Sequence, residues 1–309
     1  MHALARYVWY RFAFAVITLF AVVTVVFFLI RAAPGGPFDG ERRLPAEVEA
    51  NLRAAYNLDA PLYQQYGVFL SNLLQGDLGP SFRQKDFDVN ELIARGFPVS
   101  FRLGALALLL AMAIGGAVGI TAGLYPGGRY DASVMAISNL NLSVPTIISA
   151  PLLVLMFSAT LNWFPAGGSA SWHHFTLPAI ALALPLSAEI ARLLRASVAE
   201  ARLEPHVITA MSKGLPRHRI VLRHVLPIAI IPLLSFLGPA AAGLLTGTVV
   251  AEQIFDLPGI GRYFVQAALN RDYTLVMGVT IVYAWAILTF NFAVDLTYGV
   301  FDPRIRVTP

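Results

Sequence analysis

The sequence has no cysteine, and only two of its 309 residues are lysines, Lys85 and Lys213. Without cysteine the chain forms no disulfide, no thiolate metal site and no cysteine nucleophile. A P-loop needs Gly-Lys followed by Ser or Thr, whereas Gln84 and Ser212 precede the two lysines. No His is followed by Glu, and no Gly-x-Ser-x-Gly motif occurs. These absences exclude a P-loop ATPase, a His-Glu-x-x-His protease and a serine hydrolase of the elbow type.

Charge is also scarce. Charged residues make up 13% of the sequence and hydrophobic residues 57%, whereas soluble domains carry about 25% charge. Long strands of alternating polarity, as in membrane barrels, are absent. The formal net charge of +4 would suit nucleic acid, but the basic residues gather in particular loops between apolar segments, as the positive-inside rule requires. We therefore expect an all-α membrane protein that binds no nucleic acid.

The apolar segments predict six transmembrane helices with both termini in the cytoplasm. The first has 19 residues without charge, which nearly matches a ~30 Å hydrocarbon core at about 1.5 Å per residue. A cleaved signal peptide is the alternative, although the run is long for one and Arg31 follows at once. The predicted spans are Phe12–Ile30, Val99–Leu124, Ala132–Leu161, Phe175–Leu194, Ile228–Ala251 and Tyr273–Tyr298.

The polarity of the chain predicts three regions. Residues 1–30 hold the N-terminus and the first span, residues 31–98 form an external segment, and residues 99–309 form the core domain. The external segment contains seven basic and nine acidic residues, and apolar spacing within it predicts helices over Glu47–Tyr56 and Leu62–Leu74. Gly76 and Gly79 are expected to end the second helix in a turn. The connection 162–174 has no Lys or Arg, which indicates that it is external.

Two groups within the predicted spans suggest specific contacts. Gly115, Gly119 and Gly123 fall four residues apart, a spacing that lets another helix approach closely. The third span is the least hydrophobic, and its polar residues Asn139, Asn141 and Ser143 are unfavourable in lipid. They are candidates to line a translocation path, and ordinary hydrogen bonding between helices is an equal alternative.

Two histidine and carboxylate features carry weaker signals. His173 and His174 are adjacent rather than at ligand spacing, so no metal site is expected there. Glu189 and Arg192 stand three residues apart, and we expect them to pair near the inner membrane boundary.

The loop 203–227 is the most distinctive stretch of the chain. Seven basic residues occur between Arg192 and Arg223, which predicts that this loop is cytoplasmic. Glu204 and Pro205 are typical of a helix start, Val207, Ala210 and Met211 make a small apolar face, and Gly214 suits a helix stop. A second short helix is predicted over Arg217–Leu226.

Such short helices are unstable alone, so the loop must pack on its own transmembrane helices, on a partner or on anionic lipid. The apolar side has neither Trp nor Phe, and Gly214 interrupts the stretch. These features favour a protein partner, and hence a loop that transmits movement.

Several motifs resemble those of binding-protein-dependent ABC importer permeases. Thr209, Ala210, Gly214 and Leu226-Pro227 resemble the cytoplasmic signature loop of that family, with Ile208 and His224 departing from its usual residues. Further motifs resemble the peptide-importer branch, and the run 82–100 is most similar to the first permease of oligopeptide systems. These motifs, in chain order, are Pro34–Pro37, Leu58–Leu62, Gln65-Tyr66, Gly76–Ser81, Ser143–Pro145, Leu177–Ala179, Glu252 with Pro258–Gly261, Arg271–Tyr273 and Asp302–Arg306.

The resemblance implies a type I importer permease fold with an external segment between the first two spans. It implies a location in the inner (cytoplasmic) membrane and an assembly with a second permease, two ABC ATPases and an external peptide-binding protein. This chain would bind no cofactor, because ATP and Mg would be bound by the ATPases. The residues implied to couple to an ATPase are Glu204, Val207, Thr209, Ala210, Met211 and Gly214.

Other functions are compatible with a polytopic membrane protein. Dipeptide, glutathione and nickel permeases are related to the oligopeptide branch. A self-contained secondary transporter or channel would usually have more intramembrane charge than Glu189, Asp295 and Arg102 supply. An intramembrane enzyme is disfavoured by the missing motifs.

Overall fold

The structure is a computed structural model. The residues that it describes form helices and connecting loops, with no β-strand among them. It describes residues 2–32, 59–84 and 87–301, with side chains for residues 6–32, 59–84 and 87–296. The predicted helix Glu47–Tyr56, the motif Pro34–Pro37 and the motif Asp302–Arg306 lie outside the described residues. The helices are α1 (His2–Ala32), α2 (Leu62–Leu74), α3 (Val89–Leu124), α4 (Arg129–Ser143), α5 (Thr146–Leu153), α6 (His173–Ala201), α7 (Pro205–Ser212), α8 (Arg217–Ile220), α9 (Leu226–Ala229), α10 (Ile231–Ile254), α11 (Ile260–Leu269) and α12 (Tyr273–Phe301).

Five helices, α1, α3, α6, α10 and α12, are long and apolar enough to cross a membrane, and the bent pair α4–α5 raises the number to six. The predicted first span lies inside α1. Helix α3 begins at Val89, ten residues before the predicted start of the second span, and continues through Pro98. Pro98 does not end the helix. The residues before it remain helical and pack into the interior, where Val89 and Leu92 are both buried.

The third predicted span is not one helix. Helix α4 ends at Ser143, and α5 begins at Thr146 and continues as a π-helix over Val154–Thr160. The two halves are bent by 100°. The cause is Pro145, which lacks an N–H and disfavours helical backbone at Val144. Val144 has extended angles, φ −99° and ψ 110°, so the prediction of a continuous helix over Ala132–Leu161 is wrong.

Helices α3 and α6 form the most extensive pair in the molecule. The predicted glycine stripe faces α6, as expected. A methyl group on Gly119 would lie 2.6 Å from the Ala191 carbonyl oxygen, and one on Gly123 would lie 2.7 Å from the Arg195 carbonyl oxygen. Both distances are shorter than carbon–oxygen contact allows, so only glycine permits this approach of the two backbones.

The buried apolar residues form three clusters at different levels along the helix bundle. Leu103, Ala107, Leu182 and Leu244 belong to a central cluster formed by α3, α6 and α10. A second cluster, with Val89, Ile260 and Leu275, lies at the external end and joins α3, α11 and α12. A third cluster lies under the cytoplasmic loop. Each end of the bundle therefore has its own packed core.

The external helix α2 has the predicted bounds, and the turn that follows it is also as expected. Gly76 and Gly79 have φ of +77° and +83°, a region that is costly for residues with a Cβ. The side chain of Asn90 supports the turn by accepting a hydrogen bond from Leu78 N at 2.8 Å. The turn thus connects α2 to the start of α3.

Candidate functional site

The cytoplasmic loop is fixed to the membrane helices by a compact apolar cluster, which we call the cytoplasmic cluster. It comprises Val198, Ala201, Val207, Ala210, Ile220, Val225 and Ala229. Val207 is fully buried and Ala210 is 4% exposed. The cluster thereby joins α7 to the end of α6 and to the segment entering α10. A displacement of α7 would be transmitted to both membrane helices, because packed cores do not deform continuously.

Helix α7 forms as the sequence indicates. Glu204 occupies the N-cap position with extended backbone, and Pro205 is the first helical residue. Gly214 has a φ of +70°, and its N–H donates to the Met211 carbonyl at 3.0 Å. A methyl group at Gly214 would meet nothing within 4 Å. Gly214 is therefore required by its backbone conformation, and the space beside it stays open.

The six predicted coupling residues do not share one face. Val207 and Ala210 lie in the cytoplasmic cluster, whereas Met211 is 46% exposed, so the predicted apolar face is divided between the interior and the surface. Thr209, Gly214 and Glu204 are exposed. The exposed apolar residues of this region are Leu203, Ile208 and Met211.

Sequence reasoning missed Ile208, because it was treated as an unexplained departure from the family pattern. Its side chain is 51% exposed, which places an apolar residue on the accessible face of α7. His224 is the other departure. Its backbone carbonyl oxygen accepts a hydrogen bond from His206 Nε2 at 3.3 Å. That contact uses the backbone, so the identity of the side chain at position 224 does not determine it.

After Gly214 a second helical stretch runs from Arg217 to Ala229 and ends one residue before α10. Helix α8 ends at Ile220, a π-helix covers Val221–Val225, and α9 continues to Ala229 just before α10. The second helical stretch thus begins at Arg217 as predicted, and it continues three residues beyond the approximate end expected at Leu226. Pro227 is the second residue of α9 and follows the π-helix directly, and its missing N–H removes one backbone hydrogen bond from the continuous helical stretch.

An ion pair connects the first turn of α4 with α6 on the cytoplasmic side. Arg195 donates from Nε to Asp131 Oδ1 at 3.0 Å and from Nη2 to Oδ2 at 2.6 Å. Asp131 is 3% exposed and also accepts from Gly127 N at 2.8 Å. Glu189 and Arg192 are both exposed, and no ion pair joins them in the described part of the chain. The expected pair of Glu189 with Arg192 is therefore not found, and the ion pair of α6 joins Arg195 to Asp131 of α4.

Replacing Asp131 with Asn, or Arg195 with Gln, should lower the free energy of unfolding by about 1.5–3 kcal/mol, because each change leaves a charged hydrogen-bonding group without its partner. The double variant should lose less than the sum, since the two residues act as one unit. Thermal unfolding of the purified complex measures all three variants. Strictly additive losses would show that the pair contributes no coupling energy.

The predicted path residues lie on α4 beside the bend. Asn139 and Ser143 are exposed, and the Ser143 hydroxyl donates to the Asn139 carbonyl at 2.8 Å. Four residues apart, they share one side of the helix, whereas Asn141 points about 200° away from Asn139. The structure therefore brings two of the three residues together, next to the non-helical backbone at Val144.

A buried carboxyl group organises the external end of α10. Glu252 is fully buried, and its Oε2 accepts from Arg262 N at 3.1 Å, in the first turn of α11. The loop 258–261 passes so close that a methyl group on Gly261 would lie 2.7 Å from the Val249 Cα. The hydroxyls of Ser100 and Thr248 adjoin the carboxyl group. Glu252 therefore caps α11 from a different helix.

The motifs Gly76–Ser81 and Arg271–Tyr273 meet at the external surface. Asp272 is 1% exposed and accepts hydrogen bonds from the Ser81 hydroxyl, from Phe82 N at 3.1 Å and from Leu275 N at 3.2 Å. Thr274 donates to the Pro80 carbonyl at 2.7 Å. These bonds attach the end of the external segment to the start of α12, over about 190 residues of sequence separation.

A cleft of about 660 Å³ opens between α1, α10 and α12. Arg11 and Asp295 form an ion pair across it at 3.3 Å, and Asn291 and Ser235 also line it. The ion pair gives Asp295, one of the charges that the sequence places within the spans, a partner of opposite charge. No group of three or more potential metal ligands occurs within the residues described, and His173 stacks on Trp172 at 3.7 Å between ring centroids.

The bundle of helices long and apolar enough to cross a membrane, together with the two-part cytoplasmic loop packed on its end, defines a polytopic membrane protein. Residues 115–307 match the family of binding-protein-dependent transport system inner membrane components. The chain belongs to this family, and it is an inner-membrane permease component of an ABC importer.

Full-length relatives and solved structures agree with that assignment. The oligopeptide transport system permease protein OppB of Salmonella typhimurium is 46% identical over 94% of this chain and 96% of its own. OppB of Haemophilus influenzae is 44% identical over 97% and 99%. The dipeptide transport system permease protein DppB of Bacillus subtilis is 40% identical over 98% and 99%.

Among solved structures, a chain of the inward-facing MetNI methionine ABC transporter superposes with a TM-score of 0.60 at 17% identity, covering 68% of this chain and 96% of its own. A chain of an amino acid ABC transporter gives a TM-score of 0.55 at 19% identity, covering 68% and 94%. The type I importer permease fold expected from the sequence is confirmed.

Proposed function

We propose that this chain is the first permease subunit of an ATP-driven oligopeptide importer. The observation that carries the proposal is the identity of 44–46% to oligopeptide permeases over nearly the whole of both chains. A dipeptide permease at 40% identity keeps dipeptides as the second candidate substrate, with glutathione and nickel as further alternatives. The protein itself is not an enzyme in this proposal, because hydrolysis of ATP takes place on partner subunits.

The proposed assembly contains a second, similar permease, two cytoplasmic ATPases and an external peptide-binding protein. The two permeases form the path together, and the ATPases bind ATP and Mg. Support for separate ATPases comes from the sequence, in which neither lysine follows a glycine.

The exposed face of α7 is the proposed contact with one ATPase. Ile208 and Met211 offer apolar area beside the open space at Gly214, and their burial in a groove would provide most of the binding free energy. Val207 and Ala210 are inside the cytoplasmic cluster, so they position α7 and make no direct contact in this proposal. ATP-bound and nucleotide-free ATPases must bind α7 differently, since only a difference in affinity shifts a conformational equilibrium.

The translocation path is proposed to pass the bend between α4 and α5. Non-helical backbone at membrane depth is tolerated only where it is buried in protein or lines a water-filled cavity. The bend at Val144 and the side chains of Asn139 and Ser143 are exposed in this chain, which favours a position beside water. Amide and hydroxyl groups there can bond to a peptide backbone without selecting particular side chains.

Reconstitution tests the proposed function. The complete complex in proteoliposomes should take up a labelled pentapeptide only when the binding protein and ATP are present, and unlabelled dipeptide should compete weakly. Uptake by this chain alone would contradict the ABC mechanism. Stronger competition by a dipeptide than by unlabelled pentapeptide would instead assign the system to dipeptides.

Labelling of single cysteines tests the path, and the native chain offers no background because it has no cysteine. Asn139→Cys should react with a water-soluble thiol reagent at a rate that changes with the nucleotide state of the ATPases. Asn141→Cys, the same substitution on the other side of α4, should react more slowly and without that dependence. Shielding of position 139 in every state would remove it from the path.

A further inference from the structure

Helix α2 (Leu62–Leu74) differs from the rest of the predicted external segment in its chemistry. No residue from Pro61 to Gly76 is charged, although the segment as a whole is rich in charge. None of the thirteen residues of α2 is buried within the described parts of this chain. A helix this short without charge and without a buried face needs another environment for its apolar residues.

One side of α2 contacts the outer end of the first membrane span. The Tyr66 hydroxyl lies 2.7 Å from Thr24 Oγ1. The ring of Phe27 lies 5.1 Å from that of Tyr66 and 5.4 Å from that of Phe69, measured between centroids. Thr24 and Phe27 both belong to the uncharged apolar run of α1, so α2 crosses α1 at a level inside the membrane span.

The depth of this crossing follows from Arg31. Arg31 is the first charged residue after the apolar run, and its Nε donates to Gln65 Oε1 at 2.8 Å, so it marks the external interface. Phe27 is four residues further in, about 6 Å at the helical rise of 1.5 Å per residue. Amphipathic helices that lie in a membrane interface bury their apolar face by about 5–10 Å.

The apolar side of α2 is wider than its contact with α1. Tyr63, Tyr66, Leu70 and Leu74 recur at three- and four-residue spacing and share one side. Of these, Tyr63 is 72% exposed and Leu74 is 89% exposed. The polar residues Gln64, Ser71 and Gln75 form the adjoining side, about 80–120° around the helix from Tyr63, and Gln64 Nε2 donates to the Tyr63 hydroxyl at 3.4 Å.

From these observations we infer that α2 lies in the outer leaflet of the membrane, with Tyr63 and Leu74 in lipid and Gln64 facing water. The occupant of the exposed apolar side is lipid because that side is continuous with α1. Beside the contact, Phe28 of α1 lies 5.4 Å from Tyr66 between ring centroids and is 42% exposed, so an exposed apolar surface continues from α2 onto α1. The inference concerns membrane contact alone and holds whichever substrate the transporter carries.

The inference is tested by spin labels on single cysteines in the full transporter, reconstituted in vesicles of phosphatidylethanolamine and phosphatidylglycerol. The partner subunits are made cysteine-free. Collision with oxygen, which concentrates in lipid, is compared with collision with a water-soluble nickel chelate at Tyr63→Cys and Leu74→Cys. We expect an oxygen-to-nickel ratio several-fold higher than at Gln64→Cys, the matched position on the polar side of α2.

Two reference positions define the limits of the ratio. Ile17→Cys, in the middle of the lipid-exposed face of α1, gives the value for lipid, and Asn270→Cys, exposed at the external surface, gives the value for water. A ratio at positions 63 and 74 equal to that at 270 would place α2 in water and overturn the inference. Low accessibility to both reagents would also overturn it, because a protein subunit would then cover this side.

Discussion

Gly214→Asp is expected to reduce coupled transport at least several-fold while leaving the complex assembled. Gly214 has a φ of +70°, a conformation that costs a residue with a Cβ roughly 1–2 kcal/mol. The new carboxylate would also occupy the open space beside Ile208 and Met211, the proposed contact with the ATPase. Peptide uptake and peptide-stimulated ATPase activity should both fall, by a factor within the roughly 5–150-fold range of couplings of 1–3 kcal/mol.

A matched glycine separates loss of coupling from simple strain. Gly127 also has a positive φ, +80°, is exposed, and has nothing within 4 Å of an added methyl group. It lies in the α3–α4 turn on the same side of the membrane but outside α7. Gly127→Asp should therefore retain most uptake. Intact uptake and intact stimulation in Gly214→Asp would refute the coupling role of this loop.

Glu252→Ala is expected to give the largest loss of stability among substitutions at the external end. The change leaves Arg262 N without its acceptor and a cavity in a fully buried position. Together these should lower the free energy of unfolding by about 2–4 kcal/mol. Hydrogen exchange should increase most in α11 (Ile260–Leu269), because Glu252 caps the start of that helix.

Two neighbouring substitutions show which property of Glu252 matters. Glu252→Gln keeps the shape and one acceptor oxygen, so it should retain most of the stability. Val250→Ala changes a residue two positions away that is 36% exposed, and it should leave exchange in α11 unchanged. Unfolding of Glu252→Ala at the same temperature as the unchanged protein would show that the buried carboxyl group does not hold the external loop.

The sequence predicted local features well where one residue type decides the outcome. The bounds of α2, the glycine turn at Gly76 and the glycine stripe on α3 were all correct, because glycine spacing and apolar period act over short distances. The family motifs were equally readable. Asp272 and Ser81 were each named within a motif, but their hydrogen bond was not predicted, since nothing local relates residues so far apart.

The errors concerned contacts between helices and one proline whose effect on the third span was not recognised. The pairing of Glu189 with Arg192 satisfied helical spacing, but both residues are exposed. The ion pair that does form on α6 joins Arg195 to Asp131 of a different helix. The third span contained enough apolar residues for one helix, and Pro145 bends it by 100°. The face of α7 was read as a single apolar surface, whereas the end of α6 covers Val207 and Ala210.

The amino-acid sequence alone determined the membrane location, the number of apolar segments and the helix α7 with its stop at Gly214. Each of these follows from composition or from residues within a few positions of one another. Only the tertiary structure decided which side of α7 remains accessible, where the carboxyl groups of Asp131, Glu252 and Asp272 find their donors, and how deep α2 lies beside α1. Those features depend on packing between helices that are distant in sequence, and no local pattern specifies the partner.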